Sequence, residues 1–537
     1  MNKWWLLFLF FGGIGQLSAQ NFKHFIGFSD KPDSTQSYQN PDSFLSERSI
    51  ERRAKEGVVL RYLDLPVFEP YVDSLKILGV SVGYSSRWFN GVYATIPDAI
   101  SDQIDSLDFV ISVDTINRFA TASKRSKIEV VQPVASKMAF TESEGQLQMI
   151  GVNTMHDLGY KGANVLIAVF DGGFNKVDEL EPFAHLYSDN LIEDVFDVVD
   201  NDYDVYHGSS HGTNVLSVLS GVIPEIFIGA APEASYALYR TENIPFERRI
   251  EEYNWLIAAE RADSLGVDII NSSLSYNEFD SPEESYAFSD MDGKSTVITR
   301  AATAASGAGI LVVASAGNEG GNAWGKITAP ADAEDIIAVA AVSSNGFKTS
   351  FSSIGFTFDG RIKPDLAAQG GNATVLDASG NTSVTNGTSF SSPLIAGLAA
   401  GVMELYPGRT SQEVKKMLIE SASQVNAPDE ELGYGIPNFN QIIANEASDL
   451  GPVILGGEVF PNPFSGGDLQ IVNSVIDDEV VVVRFYNSMG QLMLETSFLR
   501  STIVSSVHVN PVNWDSGIYF IELENEDKLE VVRFVKM

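Results

Sequence analysis

The stretch NGTSFSSP, Asn386–Pro393, sets Ser389, Ser391 and Ser392 between a glycine-containing turn and a proline. A serine hydroxyl is a weak nucleophile at neutral pH and needs a neighbouring base, usually histidine. Six histidines are available: His24, His156, His185, His207, His211 and His508. His211 stands in SSHGTNVLSVLSG, where Gly212 and Thr213 open an apolar helix; His207, four residues earlier, is its nearest rival. Such a base needs a carboxylate on its other ring nitrogen. Asp171 offers one, since it ends the apolar strand of NVLIAVFDGGF and is followed by two glycines. Asn318, at the strand end in ILVVASAGNEGG, offers a side-chain amide to a developing oxyanion. Each has an ordinary structural alternative when taken singly, because Asp before Gly is a common turn and a lone histidine is more often structural.

The elements that must position these residues lie between about 137 and 447. There NVLIAVF, VDIINSSL, GILVVASAG and DIIAVAAV alternate with helix-like segments such as RIEEYNWLIAAERADSLG. Fully apolar strands between helices predict an α/β domain, a parallel sheet with helices on both faces. Ligands bind such sheets at the carboxyl ends of the strands, where Asp171 and Asn318 stand. SFSSPLIAGLAAGVMELYP predicts a buried helix ending before Pro407-Gly408, with Pro393 in its first turn. Ser389 is expected just before that turn, its N–H aimed into the positive end of the helix. Ser391 and Ser392 are expected to cap or pack.

The order Asp, His, Asn, Ser in VFDGG, HGTNV, SAGNEGG and NGTSFSSP resembles the subtilisin family of serine peptidases. The resemblance implies a subtilisin-like fold, with Asp171 orienting the base, His211 as base, Ser389 as nucleophile and Asn318 as oxyanion donor. It also implies that SSLS at 272–275 pairs with substrate backbone, which makes Ser273, Leu274, Ser275, Ala316 and Gly317 the candidate substrate-binding residues. An extended peptide there would add as a strand. The family usually has histidine at the position of Asn214, methionine at Phe390 and glycine at Ser275. VIPEIF, 222–227, replaces an asparagine-containing loop that binds calcium in many relatives. In the acidic insertion YNEFDSPEESYAFSDMDGK, Asp290, Asp292 and Gly293 match only a fragment of a calcium loop and read as a solvated loop. No cofactor is expected, and structural calcium lacks a clear site.

The flanks differ in texture. Residues 20–135 contain helix signals in SFLSERSIERRAKEG and PVFEPYVDSLKILGV and a hairpin signal in SVGYSSRWFNGVYATI, with Asn90-Gly91 at the turn. This α+β unit resembles a subtilase prosegment, which implies that it chaperones and inhibits its own peptidase. Residues 453–537 show hairpins without helices and predict a small β-sandwich. FPNPF, NSMGQLM, SGIYFIEL and Lys536 resemble a type IX secretion sorting domain, which implies the secretion machinery as partner. Residues 1–19, with Lys3, WWLLFLFFGGIG and Leu17-Ser18-Ala19, read as a signal peptide cleaved after Ala19.

Composition narrows the field. The 537 residues carry a formal net charge of -36, which argues against nucleic-acid binding. The absence of cysteine excludes disulfides and thiol catalysis. No segment after the leader is long and apolar enough to predict a membrane span in the mature chain. The expected protein is a secreted or surface serine endopeptidase acting on proteins or peptides. A catalytically silent surface protein that binds peptides or glycans is the alternative.

Overall fold

The computed structural model describes residues 22–32, 34–117, 143–449, 457–460, 470–473, 480–488, 491–499, 514, 516–524 and 529–536. The expected leader, the linker TASKRSKIE and the entrance PNPFSGG lie outside them, as does His508. Contacts divide the chain into two units: Met1–Ser43, Leu60–Ser123 and Arg248–Ile250 in one, Phe44–Val59, Lys124–Glu247 and Glu251–Met537 in the other.

The first unit is a four-stranded antiparallel sheet ordered β2-β3-β1-β4, with β1 Phe22–Phe28, β2 Ser81–Ser86, β3 Gly91–Ile96 and β4 Val110–Asn117. The β2–β3 hairpin forms where Asn90-Gly91 predicts it, and Asn90 takes the left-handed conformation at φ 49. Val72 and Leu75 of the helix Glu69–Ile77 and Ile104 of the helix Ser101–Asp105 pack on Ile26, Phe28 and Val92. The buried Lys31 ammonium donates to the carbonyls of Leu63, Leu65 and Arg87 at 3.0, 2.5 and 2.7 Å.

The second unit is built on a seven-stranded sheet. Its strands are β5 Leu166–Asp171, β6 Ile192–Asp197, β9 Ser235–Arg240, β10 Ile269–Ser272, β11 Leu311–Ser315, β12 Ile337–Val342 and β13 Leu366–Gln369. Two short hairpins lie outside it, β7 Val222–Ile223 with β8 Phe227–Ile228, and β14 Ala373–Leu376 with β15 Thr382–Thr385. The order is β13-β12-β11-β10-β5-β9-β6, with every pairing parallel. Strands β5, β10, β11, β12 and β13 are buried at every residue, which is why they read as unbroken apolar runs.

Alternate side chains of β5 show the covering of both faces. Val169 shares a core with Leu394 and Ile395 of the helix Thr388–Leu405, whereas Phe170 meets Trp255 of the helix Ile250–Leu265 edge-on at 5.2 Å. From β5 the chain builds β6 and β9 to one side, then returns to lay β10 to β13 on the other. The β5/β10 junction is therefore the topological switch point, and a crevice is expected at the carboxyl ends of those strands.

The C-terminal strands are β16 Gly457–Phe460, β17 Gln470–Asn473, β18 Val480–Asn487, β19 Leu492–Leu499, β20 Gly517–Glu524 and β21 Leu529–Lys536. They form a two-stranded ladder, β16–β17, and a four-stranded antiparallel sheet ordered β19-β18-β20-β21. This all-β part contains both hairpins expected from the sequence. Among the described residues, no helix is long and apolar enough to cross a membrane.

Candidate active site

Three neighbouring strands deliver residues to the switch point. Asp171 is the last residue of β5 and is buried. Its Oδ1 accepts the Gly172 N–H at 2.7 Å. Both carboxylate oxygens face Nδ1 of His211, Oδ1 at 3.0 Å and Oδ2 at 2.8 Å. A carboxylate acceptor fixes the proton on Nδ1 and makes Nε2 the basic nitrogen. His211 opens the helix His211–Ser220, and its N–H donates to Ser209 Oγ at 3.0 Å. Glycine at 212 permits this approach: a Cβ there would lie 2.3 Å from the Gly173 carbonyl oxygen and 3.0 Å from Asp171 Cβ.

Ser389 is buried as the second residue of the helix Thr388–Leu405, one turn deeper than its sequence context suggests. Pro393 is correspondingly inside the helix, not in its first turn. The physical consequence falls on Ser389. Pro393 has no N–H to donate to the carbonyl four residues back. Ser273 Oγ donates to that Ser389 carbonyl instead, at 2.8 Å, and Ser389 Oγ donates to the Ser273 carbonyl at 3.3 Å. The other two serines have packing roles. Ser391 Oγ donates to the Thr388 carbonyl at 3.0 Å and Ser392 Oγ to Asn271 Oδ1 at 2.9 Å. Phe390 turns its ring to the His211 imidazole, with centroids 5.8 Å apart, and so brings the base beside the residue next to Ser389.

Asn318 lies three residues beyond β11, and its Oδ1 accepts from the Thr388 N–H at 2.9 Å and the Thr388 hydroxyl at 3.0 Å. Two donors on the oxygen make the amide NH2 the opposite, donating end. Thr388 was not singled out by sequence reasoning, although its place next to Ser389 was the available signal. Asn214 is buried and donates through Nδ2 to the Leu376 carbonyl at 3.0 Å, which makes its role structural.

Ser273, Leu274 and Ser275 follow β10, and Ala316 and Gly317 follow β11. Ser315 Oγ donates to the Leu274 carbonyl at 3.2 Å and ties the two segments together. Of these five residues, Ser275 alone is half-buried and the other four are buried. The carbonyls of Ala316 and Gly317 already accept from Thr328 N–H at 3.3 Å and Ser353 N–H at 3.0 Å.

The other described histidines sit elsewhere. His207 is 3.6 Å from Asp197, with its side chain 42% exposed. His156 bonds through Nε2 to the Ala230 carbonyl at 2.9 Å, and burial pulls its pKa below the usual imidazole range. His24 is buried in the first unit.

Two groupings that the sequence did not reveal have metal-ligand spacing: two carboxylates with an imidazole, Asp197, Asp200 and His207, and three carboxylates, Glu242, Glu247 and Glu251. In the first, Arg240 already pairs with Asp197 and Asp200 at 2.5 and 2.6 Å. In the second, Tyr276 donates to Glu242 and the Asn243 N–H to Glu251 at 2.9 Å. VIPEIF forms the tight β7–β8 hairpin, and Asp292 accepts from the N–H groups of Lys294 and Ser295 at 3.0 and 2.8 Å.

An all-parallel sheet, an Asp–His pair at one strand end and a serine in the first turn of a buried helix define an α/β protein with a serine-hydrolase arrangement. Residues 162–435 match the subtilase family, and the chain belongs to it. Residues 23–130 match the peptidase S8 propeptide domain of Bacteroidota, and residues 458–537 match the secretion system C-terminal sorting domain. That sorting domain marks the chain for secretion or cell-surface export.

Subtilisin NAT of Bacillus subtilis subsp. natto is 31% identical over 281 residues, 52% of this chain and 65% of that relative, so less than two thirds of its length is spanned. A subtilisin of Bacillus pumilus is 31% identical over 285 residues, covering 52% of this chain and 92% of the relative. The crystal structure of an epidermin leader peptide processing serine protease from Staphylococcus aureus shares the fold, with TM-score 0.54 and 15% identity over 79% of this chain and 99% of that one.

Proposed function

We propose that the protein is a secreted serine endopeptidase, made with a prosegment that inhibits its own active site. The observation that carries this reading is the pair of Asp171 oxygens on His211 Nδ1, with the imidazole against Phe390, the residue next to a serine in a helix first turn. Ser389 Oγ attacks a peptide carbonyl while His211 Nε2 takes its proton. Asp171 holds the tautomer and stabilises the imidazolium. As the second residue of its helix, Ser389 has a backbone N–H with no helical acceptor, and this N–H joins the Asn318 amide in holding the oxyanion. His211 returns the proton to the leaving amine. Water, deprotonated by the same imidazole, then releases the acyl-enzyme. Substrate enters as an extended strand along Ser273–Ser275 and Ala316–Gly317. The chemistry uses only these side chains and backbone groups.

The division into a prosegment over 20–135, a peptidase domain over 136–447 and a sorting domain over 453–537 is supported by the three family matches. Delivery through a type IX machinery is supported by the last of them. The test is fluorophosphonate labelling followed by peptide mapping, alongside digestion of a peptide library. Label on Ser389 with internal cleavage of peptides is the expected result. An unlabelled Ser389 in a folded, propeptide-free chain would overturn the reading.

A further inference from the structure

The segment Phe44–Val59 lies inside the region that matches the propeptide, yet its contacts assign it to the unit that holds the catalytic residues. It carries the helix Glu47–Lys55, capped by Ser46, whose side chain accepts from the Ser49 N–H. Arg52 and Arg53 of this helix are buried, and both pair with Asp263, which is itself fully buried, Arg53 at 2.7 Å. Arg52 also donates to the Val267 carbonyl at 2.6 Å and the Ala308 carbonyl at 3.3 Å, so it bridges the C-terminal ends of the helices Ile250–Leu265 and Val297–Gly307. Cations are favoured at such ends.

Further bonds surround this centre. Arg48 pairs with Asp268 at 2.5 Å and donates to the Asn164 carbonyl at 3.0 Å. Ser46 N–H donates to the Ser264 carbonyl at 2.8 Å, and Ser46 Oγ to the Leu265 carbonyl at 2.8 Å. The Glu56 carboxylate accepts the Ser411 N–H at 2.8 Å and the Ser411 hydroxyl at 2.8 Å, at the start of the helix Ser411–Glu420. Close approach is built in on the other side too. A Cβ at Gly266, where φ is +94, would lie 2.7 Å from Ser49 N.

These partners cluster at the amino ends of β5, β10 and β11. Asp171 is at the opposite end of β5, roughly 17 Å away at about 3.3 Å per residue. The segment therefore grips the domain away from the catalytic crevice. A grip of this kind keeps a severed partner at high effective concentration without touching the active site.

We infer that residues 44–59 are a docking arm, and that the surface centred on Asp263 is a second prosegment-binding site that retains the prosegment after the chain is cut. The inference rests on the prosegment reading above. Cutting the linker does not free the prosegment, because the arm remains seated through buried ion pairs.

The test uses the full chain carrying Ser389→Ala, so that no self-cleavage occurs, with a site-specific protease sequence inserted between residues 118 and 142. After cutting, the N-terminal fragment should co-elute with the rest of the chain on size exclusion. Arg52→Ala/Arg53→Ala should raise its dissociation rate by roughly 10²-fold or more, as expected when buried charge pairs lose one partner. Equal retention in the double variant overturns the inference, and so does rapid release of the unmodified fragment. A measurement without the substitutions guards against misfolding: amides of 44–59 should stay protected from hydrogen exchange in the cut complex, and unprotected amides overturn the inference. The binding arms need no catalysis. A chain with Ser389 intact that retains its fragment yet hydrolyses no peptide would sink the peptidase reading and leave the arm standing.

Discussion

Thr388 sets the orientation of Asn318: its N–H and its hydroxyl both donate to Asn318 Oδ1, at 2.9 and 3.0 Å. The residue before the proposed nucleophile thus aims the amide proposed to receive the oxyanion. Asn318→Leu should lower kcat by about 10²–10³, the loss known when such a donor is removed from a subtilisin, with little change in KM. Thr388→Val keeps the N–H and the shape but deletes one donor, so a smaller loss, roughly tenfold, is expected. Steady-state kinetics on one peptide substrate measures both. An unchanged kcat with raised KM for Asn318→Leu would make that residue a ground-state binder.

Ser389→Ala should abolish hydrolysis and leave the prosegment uncut. Ser391→Ala and Ser392→Ala should retain most activity, because those hydroxyls serve helix and core bonds to Thr388 and Asn271. Each of the two should cost about 1 kcal/mol of stability in denaturant titration. Wild-type digestion by Ser389→Ala would refute the assignment.

Removing residues from 453 onward should leave peptidase activity intact while abolishing delivery outside the cell. All four proposed active-site residues lie in the unit built on the parallel sheet, and among the described residues the deleted strands pair only with one another. Cell fractionation with an activity assay is the measurement. Normal export of the active truncated chain would contradict the sorting reading.

Lys363 gives a pH signature of stability. It is buried, pairs with Asp365 at 2.7 Å and bonds the Ile336 carbonyl at 3.0 Å. Burial outweighs Asp365 and lowers its pKa from 10.5 to about 8. Between those values the unfolded chain holds a proton that the folded chain has released, so stability rises with pH there. Relative to Lys363→Met, the wild-type lysine should gain up to about 3 kcal/mol between pH 8 and 10.5. Urea titrations of both proteins, in a Ser389→Ala background to prevent autolysis, report the difference. A gap that is constant with pH would contradict the assignment.

The helix start at 388 and the interior place of Pro393 were not legible in the sequence. Proline in a first turn is the local preference, and packing of SFSSPLIAGLAAGVMEL against the sheet overrides it. Ser273 then supplies the hydrogen bond that the proline cannot. The arm Phe44–Val59 was legible as a helix in SFLSERSIERRAKEG, but its partners are some 210 residues away in the chain. Local pattern carries no record of such contacts.

By itself the sequence determined the fold class and the family. Buried parallel strands must be apolar on both faces, and the residues at their carboxyl ends stand out against those runs. Asp171 and Asn318 were readable in that way, and His211 and Ser389 from the apolar helices at whose starts they stand. Tertiary structure alone decided which side chains meet: that Asp171 faces Nδ1 of His211, that Thr388 aims Asn318, and that Arg52 and Arg53 of the propeptide region bury their charge against Asp263. The reason is physical. Strand and helix periods are fixed within about a dozen residues, whereas hydrogen bonds and ion pairs form between groups that only the order of the strands brings together.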